Sequence, residues 1–218
     1  MLKDSSFNKT VEKTVHFPYA VYTPEGYDGS KPYPLLIFLH GAGERGEDPS
    51  LLWRYGFLND AQNGKSFPFL MVAPHITSKN KYWGNYTESL NIFLDGILET
   101  YNVDKSRIYL TGLSMGGTGT WHWLMANPER FAAAAPVCGT GIYWFACQVT
   151  KTPLWVFHGD NDEIVPATES ISMVENIKKF GGEPKLTIFE GVGHDAWRYA
   201  YTDELVNWFM EHKKSKSP

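Results

Sequence analysis

Short apolar runs that alternate with helix-like segments constrain the fold of this chain most. The runs have the length of strands, and they cover residues 16–22, 35–39, 69–73, 107–111, 132–137, 154–157 and 186–189. Helical periodicity is found between them, over residues 88–101, 115–126, 167–180 and 200–212. Continuous apolar runs are typical of strands buried on both faces. The alternation predicts an α/β fold, with a mostly parallel central sheet and helices on both faces.

Length and charge narrow the class of protein further. A chain of 218 residues is within the range of one α/β domain, so we predict a single domain over residues 1–218. The ends, 1–9 and 213–218, are polar and are expected to fray. The net charge of -4 argues against nucleic acid as a partner. No apolar run approaches the ~20 residues of a membrane span, so we expect no membrane association.

The compartment and the oligomeric state stay open. The first residues lack the apolar stretch of a secretion signal, which suggests a cytoplasmic protein or an excised or processed domain of a secreted one. Two cysteines, Cys138 and Cys147, are too few for a disulfide framework or a zinc site. They could form one disulfide or remain two free thiols.

A nucleophile is predicted where the fourth strand meets a helix. Residues 112–116 read Gly-Leu-Ser-Met-Gly, which matches Gly-x-Ser-x-Gly. In a strand–turn–helix context the glycines leave room for a sharp turn that exposes the hydroxyl of Ser114. The backbone N–H of Met115, at the start of the helix, can point toward a developing oxyanion. Ser114 is therefore the candidate nucleophile, and an ordinary glycine turn is the alternative.

A serine nucleophile needs a base and an acid, and the loops after two later strands contain them. His194 follows the strand at 186–189, in a loop that glycines allow to bend. The loop after 154–157 contains Asp160 and Asp162. Asp162 is preferred as the acid, because Asp160 lies closer to the strand and is expected to tie the loop together. The order Ser114, Asp162, His194 is that of α/β-hydrolases.

The segment 41–46 matches Gly-x-Gly-x-x-Gly, which by itself suggests a dinucleotide site. Acidic residues in and after this segment and Pro49 argue against a pyrophosphate at a helix start. The segment is better interpreted as a loop whose backbone N–H, that of Ala42, faces the oxyanion. An ion pair between Glu44 and Arg45 is expected to fix this loop.

Together these motifs resemble the α/β-hydrolase superfamily, and within it the small single-domain serine esterases. These are the phospholipase/carboxylesterase-like and predicted-peptidase-like group, related to feruloyl and acetyl xylan esterases. The matching segments are residues 40–46, 112–117, 135–139, 158–166 and 193–197. The resemblance implies Ser114 as nucleophile, Asp162 as acid and His194 as base, with Ala42 and Met115 as the oxyanion-hole amides.

The resemblance also implies what the chain lacks. No metal and no cofactor is expected, and no long insertion provides a cap domain over the cleft. Dienelactone hydrolases have cysteine at the nucleophile elbow and dehalogenases have aspartate, so Ser114 disfavours both.

The expected substrate is a small-molecule or polysaccharide-borne ester with a short or aromatic acyl group, including feruloyl or acetyl esters of plant cell walls. Four aromatic residues could line the cleft: Trp83, Tyr143, Trp144 and Trp197. Plain packing is the alternative role for each of them. Two other functions remain open: a serine peptidase of the same fold, and a non-catalytic carbohydrate-binding protein supported only by the abundance of tryptophan.

Overall fold

The computed structural model describes residues 4–214 and contains one seven-stranded sheet. The strands are β1 (Tyr19–Tyr22), β2 (Tyr33–Leu39), β3 (Leu70–Pro74), β4 (Val103–Leu113), β5 (Ala133–Val137), β6 (Trp155–Gly159) and β7 (Lys185–Phe189). The helices are α1 (Gly56–Gln62), α2 (Thr87–Thr100), α3 (Met115–Ala126), α4 (Thr168–Lys179), α5 (Trp197–Ala200) and α6 (Asp203–Glu211). The strand order is β1-β3-β2-β4-β5-β6-β7. Only β1 runs antiparallel to its neighbour, so the predicted mostly parallel sheet is confirmed.

The sheet is covered on both faces because its strands alternate between two cores. In β2, Leu35 and Ile37 belong to one core, whereas Leu36 and Phe38 belong to the other. Helices α2, α3 and α4 pack on the first core, and α1, α5 and α6 pack on the second. A strand whose two faces are both buried needs apolar residues at every position, which explains the continuous apolar runs.

Three elements differ from the prediction. Helix α1 was not predicted, because it is short and buries only Phe57 and Leu58. Strand β4 begins at Val103, where it pairs with Tyr33 before a register shift. Of the predicted helix 200–212, only α6 is helical beyond Ala200, which ends α5, since the side chain of Thr202 caps the start of α6.

The chain is held at its C-terminal end as far as Lys214. Its backbone N–H donates to the carbonyl of Ser106 at 2.9 Å, and its ammonium donates to the carbonyls of Glu129 and Arg130. Fraying was predicted from residue 213 onward, and for residues 213 and 214 it stays a prediction. Residues 4–9 are exposed and have no regular structure. The predicted fraying of 1–3 and 215–218 lies outside the described residues.

The carboxyl ends of β2, β4, β6 and β7 meet at one edge of the sheet, where the loops predicted to hold the site begin. Within residues 4–214 no inserted domain covers this edge, as expected. The connection after β5 is a 3-10 helix, Tyr143–Val149. Among the described helices, none combines the length and the apolar character needed to cross a bilayer.

Candidate active site

Ser114 lies at a strained turn between β4 and α3. Its backbone has φ 53° and ψ -116°, a conformation that residues other than glycine rarely adopt. A Cβ on Gly116 would collide with the carbonyl of Leu39, so the motif needs glycine there. The backbone N–H of Ser114 donates to the carbonyl of Val137 at 2.9 Å, which fixes the turn against β5.

The loops after β6 and β7 bring Asp162 and His194 to this serine. Ser114 Oγ lies 2.7 Å from His194 Nε2, and His194 Nδ1 lies 2.7 Å from Asp162 Oδ2. A carboxylate only accepts, so Nδ1 carries the proton and Nε2 offers a lone pair to the serine hydroxyl. The three residues form one continuous hydrogen-bonded chain, although Ser114 and His194 are 80 positions apart in the sequence and His194 and Asp162 are 32 apart.

The carboxylate of Asp162 is buried, yet it is stabilised in its charged form. Burial by itself raises the pKa of Asp162, but the N–H groups of Val165 and Ile164 and the imidazole of His194 lower it below its ordinary value. Both backbone donors reach Oδ1 at 2.9 Å. Oδ2 faces His194 at 2.7 Å, and Nε2 of the buried His158 lies 3.2 Å from the same oxygen.

Two neighbours hold the loop that contains Asp162. Asp160 accepts the N–H of Gly191 at 2.7 Å, so it ties the loop after β6 to the loop after β7. His158 is buried, with Nε2 2.9 Å from the carbonyl of Val165 and Nδ1 2.7 Å from the hydroxyl of Ser170. Asp160 therefore binds the backbone of the neighbouring loop, whereas Asp162 faces His194.

Ala42 and Met115, the two predicted oxyanion-hole residues, each begin a helix. Ala42 is the first residue of the 3-10 helix Ala42–Glu44, and Met115 is the first residue of α3. In the part of the chain that the structure describes, neither backbone N–H donates a hydrogen bond. First-turn N–H groups lack an intrahelical partner, so both remain available to an anionic oxygen.

The predicted ion pair between Glu44 and Arg45 is wrong. Arg45 instead donates to the carbonyls of Ala42 at 3.0 Å and Lys81 at 3.2 Å. Glu44 is buried, and burial raises the pKa of its carboxyl group. The loop at 41–46 is thus fixed by hydrogen bonds to its backbone.

A buried histidine supports the same loop from below. His40 Nε2 accepts the N–H of Ile76 at 3.0 Å, so Nδ1 carries the proton and donates to the carbonyl of Gly41 at 2.7 Å. Burial lowers the pKa of His40 to about 3, which keeps it neutral. Trp83 donates its indole N–H to the carbonyl of His40 at 2.9 Å. The segment continues as a 3-10 helix, which also argues against a dinucleotide site.

A cleft of about 360 Å³ opens beside Ser114. Its lining residues are Tyr82, Trp83, Gly84, Asn85, Ser114, Met115, Thr118, His122 and Val165. Of the four predicted aromatic residues, only Trp83 lines this cleft, and its side chain is almost fully buried. Sequence reasoning missed Thr118 and His122, although a spacing of four residues after Ser114 places them on one side of α3.

The other predicted aromatic residues lie elsewhere. Tyr143 and Trp144 are exposed on the 3-10 helix after β5, with ring centroids 4.0 Å apart, and they do not line the cleft. Trp197 packs perpendicular to the imidazole of His194 at 5.5 Å. Its indole N–H is buried without a hydrogen-bond partner among residues 4–214. Trp197 therefore supports the histidine and does not form the cleft wall.

The two cysteines are free thiols, Cys138 buried and Cys147 exposed, so the disulfide alternative is excluded. Cys138 lies with Asp162 and His194 in a trio whose potential metal-ligating atoms are within 4.8 Å of one another. Burial raises the pKa of the Cys138 thiol, which disfavours the thiolate that a metal would require. Asp162 and His194 are already bonded to each other.

The family model described as "Dienelactone hydrolase family" matches residues 3–203. The chain belongs to the dienelactone hydrolase family. The prediction that Ser114 disfavours dienelactone hydrolases is therefore wrong at the level of the family, since one elbow residue does not define the whole fold. The superfamily and the fold were predicted correctly.

Three proteins with names that denote esterases are similar to this chain. The bifunctional acetylxylan esterase/xylanase XynS20E of Neocallimastix patriciarum is 25% identical, over 72% of this chain and 23% of its own length. Feruloyl esterase C of Emericella nidulans is 28% identical, over 75% of this chain and 62% of its own length. A solved structure of a thermostable esterase is 31% identical, with a TM-score of 0.79, over 91% of this chain and 60% of that one. The chain thus spans less than two thirds of each relative.

Proposed function

We propose that this family member is a serine carboxylesterase that hydrolyses short-acyl or aromatic-acyl esters through an acyl-enzyme. The observation that carries the proposal is the hydrogen-bonded chain from Ser114 through His194 to Asp162, with two distances of 2.7 Å. The names of its relatives, acetylxylan esterase and feruloyl esterase, support the choice of esters.

The first half-reaction forms the acyl-enzyme. Ser114 Oγ bonds to the ester carbonyl carbon as its proton moves to Nε2 of His194. Asp162 stabilises the imidazolium without taking the proton itself. The N–H groups of Ala42 and Met115 stabilise the oxyanion of the tetrahedral intermediate. The imidazolium then returns the proton to the alcohol oxygen, the carbon–oxygen bond breaks, and the alcohol leaves.

The second half-reaction releases the acid. A water molecule gives its proton to His194 Nε2 and attacks the acyl carbon on Ser114. The N–H groups of Ala42 and Met115 again stabilise the oxyanion. The proton then returns to Ser114 Oγ as the bond between Oγ and the acyl carbon breaks and the acid leaves. The scheme balances with ester and water alone, so it requires no cofactor and no metal.

The preference for short or aromatic acyl groups rests on the shape of the cleft. Tyr82, Trp83 and Val165 form its apolar walls, and no cap covers it within the described residues. A long acyl chain would leave methylene groups in water, each forfeiting roughly 0.8 kcal/mol of burial. Acetyl and feruloyl esters, which the names of two relatives print, fit these limits, and we propose such esters of plant cell-wall polysaccharides as substrates.

Covalent labelling tests the nucleophile. An organophosphonate should modify Ser114 in the unaltered protein, because only an activated hydroxyl attacks phosphorus readily. Mass spectrometry of the labelled peptide is the measurement. Ser114→Ala should take up no label, whereas Ser30→Ala, which removes an exposed serine, should label like the unaltered protein. Active protein that carries the label at another residue, or no label, contradicts the proposal.

An ester panel tests the substrate class. We expect kcat/KM to be highest for p-nitrophenyl acetate, p-nitrophenyl butyrate or a methyl hydroxycinnamate, and far lower for p-nitrophenyl palmitate. If palmitate is the best substrate, the open-cleft argument fails. An amide matched to the best ester belongs in the same panel, since amide hydrolysis at a comparable rate would favour the peptidase alternative.

A further inference from the structure

The cleft beside Ser114 extends away from the base. It touches Ser114 and Met115, but His194 is not among its lining residues in the described part of the chain. In the proposed function, on which this inference rests, His194 gives a proton to the leaving alcohol, so the alcohol must lie on the side of His194. The cleft is then the place for the acyl group.

His122 stands at the far end of that cleft. Ser114, Thr118 and His122 are spaced by four residues along α3, and all three line the cleft. Eight residues of helix separate the first and last backbone positions by about 12 Å. His122 also lines a neighbouring hollow of about 260 Å³ that Phe145 and Ile142 border, so its imidazole marks the boundary between the two spaces.

Two other polar side chains that line the cleft each accept a hydrogen bond from the backbone. The hydroxyl of Thr118 accepts the N–H of Thr140 at 2.9 Å. The amide oxygen of Asn85 accepts the N–H of Tyr82 at 3.0 Å. The imidazole of His122, in contrast, makes no hydrogen bond within residues 4–214, although it is half-buried. A ligand in the cleft would therefore displace no protein partner from this ring among the described residues.

The protonation state of His122 limits what it can bind. Burial lowers the pKa of His122, so the ring is neutral near pH 7. A neutral imidazole has one N–H donor and one nitrogen acceptor. A hydroxyl group also donates once and accepts, so it can satisfy either nitrogen. Gly84 backs the ring closely, since a Cβ there would lie 2.9 Å from Nδ1.

We propose that His122 is a specificity-determining residue that hydrogen-bonds a phenolic hydroxyl at the distal end of an aromatic acyl group. A flat aryl ring joined to the carbonyl by a short rigid linker spans the distance from Ser114 to His122 between Trp83 and Val165. An acetyl group is too short to reach the imidazole. The site thereby distinguishes hydroxylated aromatic acyl groups from plain ones.

The test compares two substrates that differ only in this hydroxyl. The unaltered protein should hydrolyse methyl 4-hydroxycinnamate with a kcat/KM about fivefold higher than methyl cinnamate, the effect of one neutral hydrogen bond. His122→Phe should bring this ratio to about 1, because phenylalanine fills similar space without a polar atom. His122→Gln, which keeps a donor and an acceptor, should retain part of the preference.

The ratio is measured within one preparation, so partial loss of folded protein cancels. His16→Phe is the matched control, since His16 is exposed and lies outside the cleft, and it should keep the ratio of the unaltered protein. If the unaltered protein shows no preference for the hydroxylated ester, or if His122→Phe keeps the ratio of the unaltered protein, the role of His122 is wrong. The proposed function would still stand in either case. If no ester is hydrolysed and Ser114 takes up no label, the proposed function fails and this inference fails with it.

Discussion

The loops after β2 and β6 begin alike but hold their carboxyl groups in opposite ways. A histidine–glycine pair stands where each strand meets its loop, directly after β2 and as the last two residues of β6, and each loop buries an acid, Glu44 in the first and Asp162 in the second. Burial raises the pKa of Glu44, although the N–H of Gly41 and the charge of Arg54 partly oppose it. For Asp162 the hydrogen bonds outweigh burial, and its pKa is lowered.

The difference shows that burial alone does not decide the charge of an acid. Two backbone N–H groups and His194 converge on Asp162, and together they replace the water that the carboxylate has lost. At Glu44 burial outweighs the N–H groups of Gly41 and Glu44 and the charge of Arg54, and we propose that its loop acts through the backbone N–H of Ala42. The same starting sequence thus gives one loop that presents a side-chain charge and one that presents backbone amides.

The largest expected effect comes from removing the charge that faces His194. Asp162→Asn should reduce kcat by about 10⁴-fold, because the amide no longer stabilises the imidazolium and selects the wrong tautomer. Asp160→Asn is the matched variant in the same loop and should cost less than about tenfold, since Asp160 only binds the N–H of Gly191. Steady-state kinetics on p-nitrophenyl acetate measure both. A larger loss in Asp160→Asn would reverse the assignment of the acid.

Replacing Gly159 or Gly41 by alanine should lower the free energy of unfolding by different amounts. A Cβ on Gly159 would collide with the backbone carbonyls of Val192 and Gly193, so Gly159→Ala should destabilise the fold by about 3 kcal/mol. A Cβ on Gly41 would meet the ends of two side chains, Leu113 at 2.7 Å and Glu44 at 2.8 Å. These can move, so Gly41→Ala should cost about 1 kcal/mol.

Chemical denaturation gives the free energy of unfolding of both glycine variants. Equal losses would mean that the loop after β6 adjusts its backbone as readily as the loop after β2 adjusts its side chains. In that case the loop that contains Asp162 would not be the more rigid of the two, contrary to expectation.

The smallest effect concerns the pH dependence of stability. The pKa of Glu44 is higher in the folded protein, so its contribution is present below the unfolded value of about 4.3 and is lost as the pH rises through the folded value. Glu44→Gln should therefore gain stability relative to the unaltered protein as the pH rises. Asp162 has the lowered pKa, so Asp162→Asn should lose relative stability as the pH rises from about 3 toward 5.

Denaturation at a series of pH values between 3 and 7 measures the two differences, with the unaltered protein in parallel. Opposite slopes are expected for Glu44→Gln and Asp162→Asn. Slopes of the same sign would show that the two buried acids are held alike, and the contrast between the loops would then be wrong.

The sequence was most informative where a pattern reflects a requirement on both faces of an element. The run at 35–39 could be recognised as a strand because each of its residues is buried on one face or the other. Helix α1 could not be recognised, since only Phe57 and Leu58 bury against the sheet and its remaining residues carry no periodic signal. The ion pair predicted for Glu44 failed because adjacency in sequence does not determine which way two side chains point.

In the candidate site too, some residues could be identified from the sequence and others only from the structure. Ser114 was identified by the glycines that its strained turn requires, which is a local constraint. The roles predicted for Tyr143 and Trp144 rested on residue type and on their position after a strand, and these side chains lie outside the cleft. His122 carries no motif of its own, and only the packing of α3 against the segment that contains Gly84 places it in the cleft.

By itself, then, the amino-acid sequence determined the strands, most helices and the order of Ser114, Asp162 and His194, because these depend on periodicity and on short motifs. The tertiary structure alone decided that Asp162 is charged while Glu44 resists ionisation, and that His122 faces a cleft without an internal partner. The physical reason is that desolvation and hydrogen bonding depend on groups far apart in the chain, such as His194 and Asp162, which are 32 residues apart and yet 2.7 Å from each other.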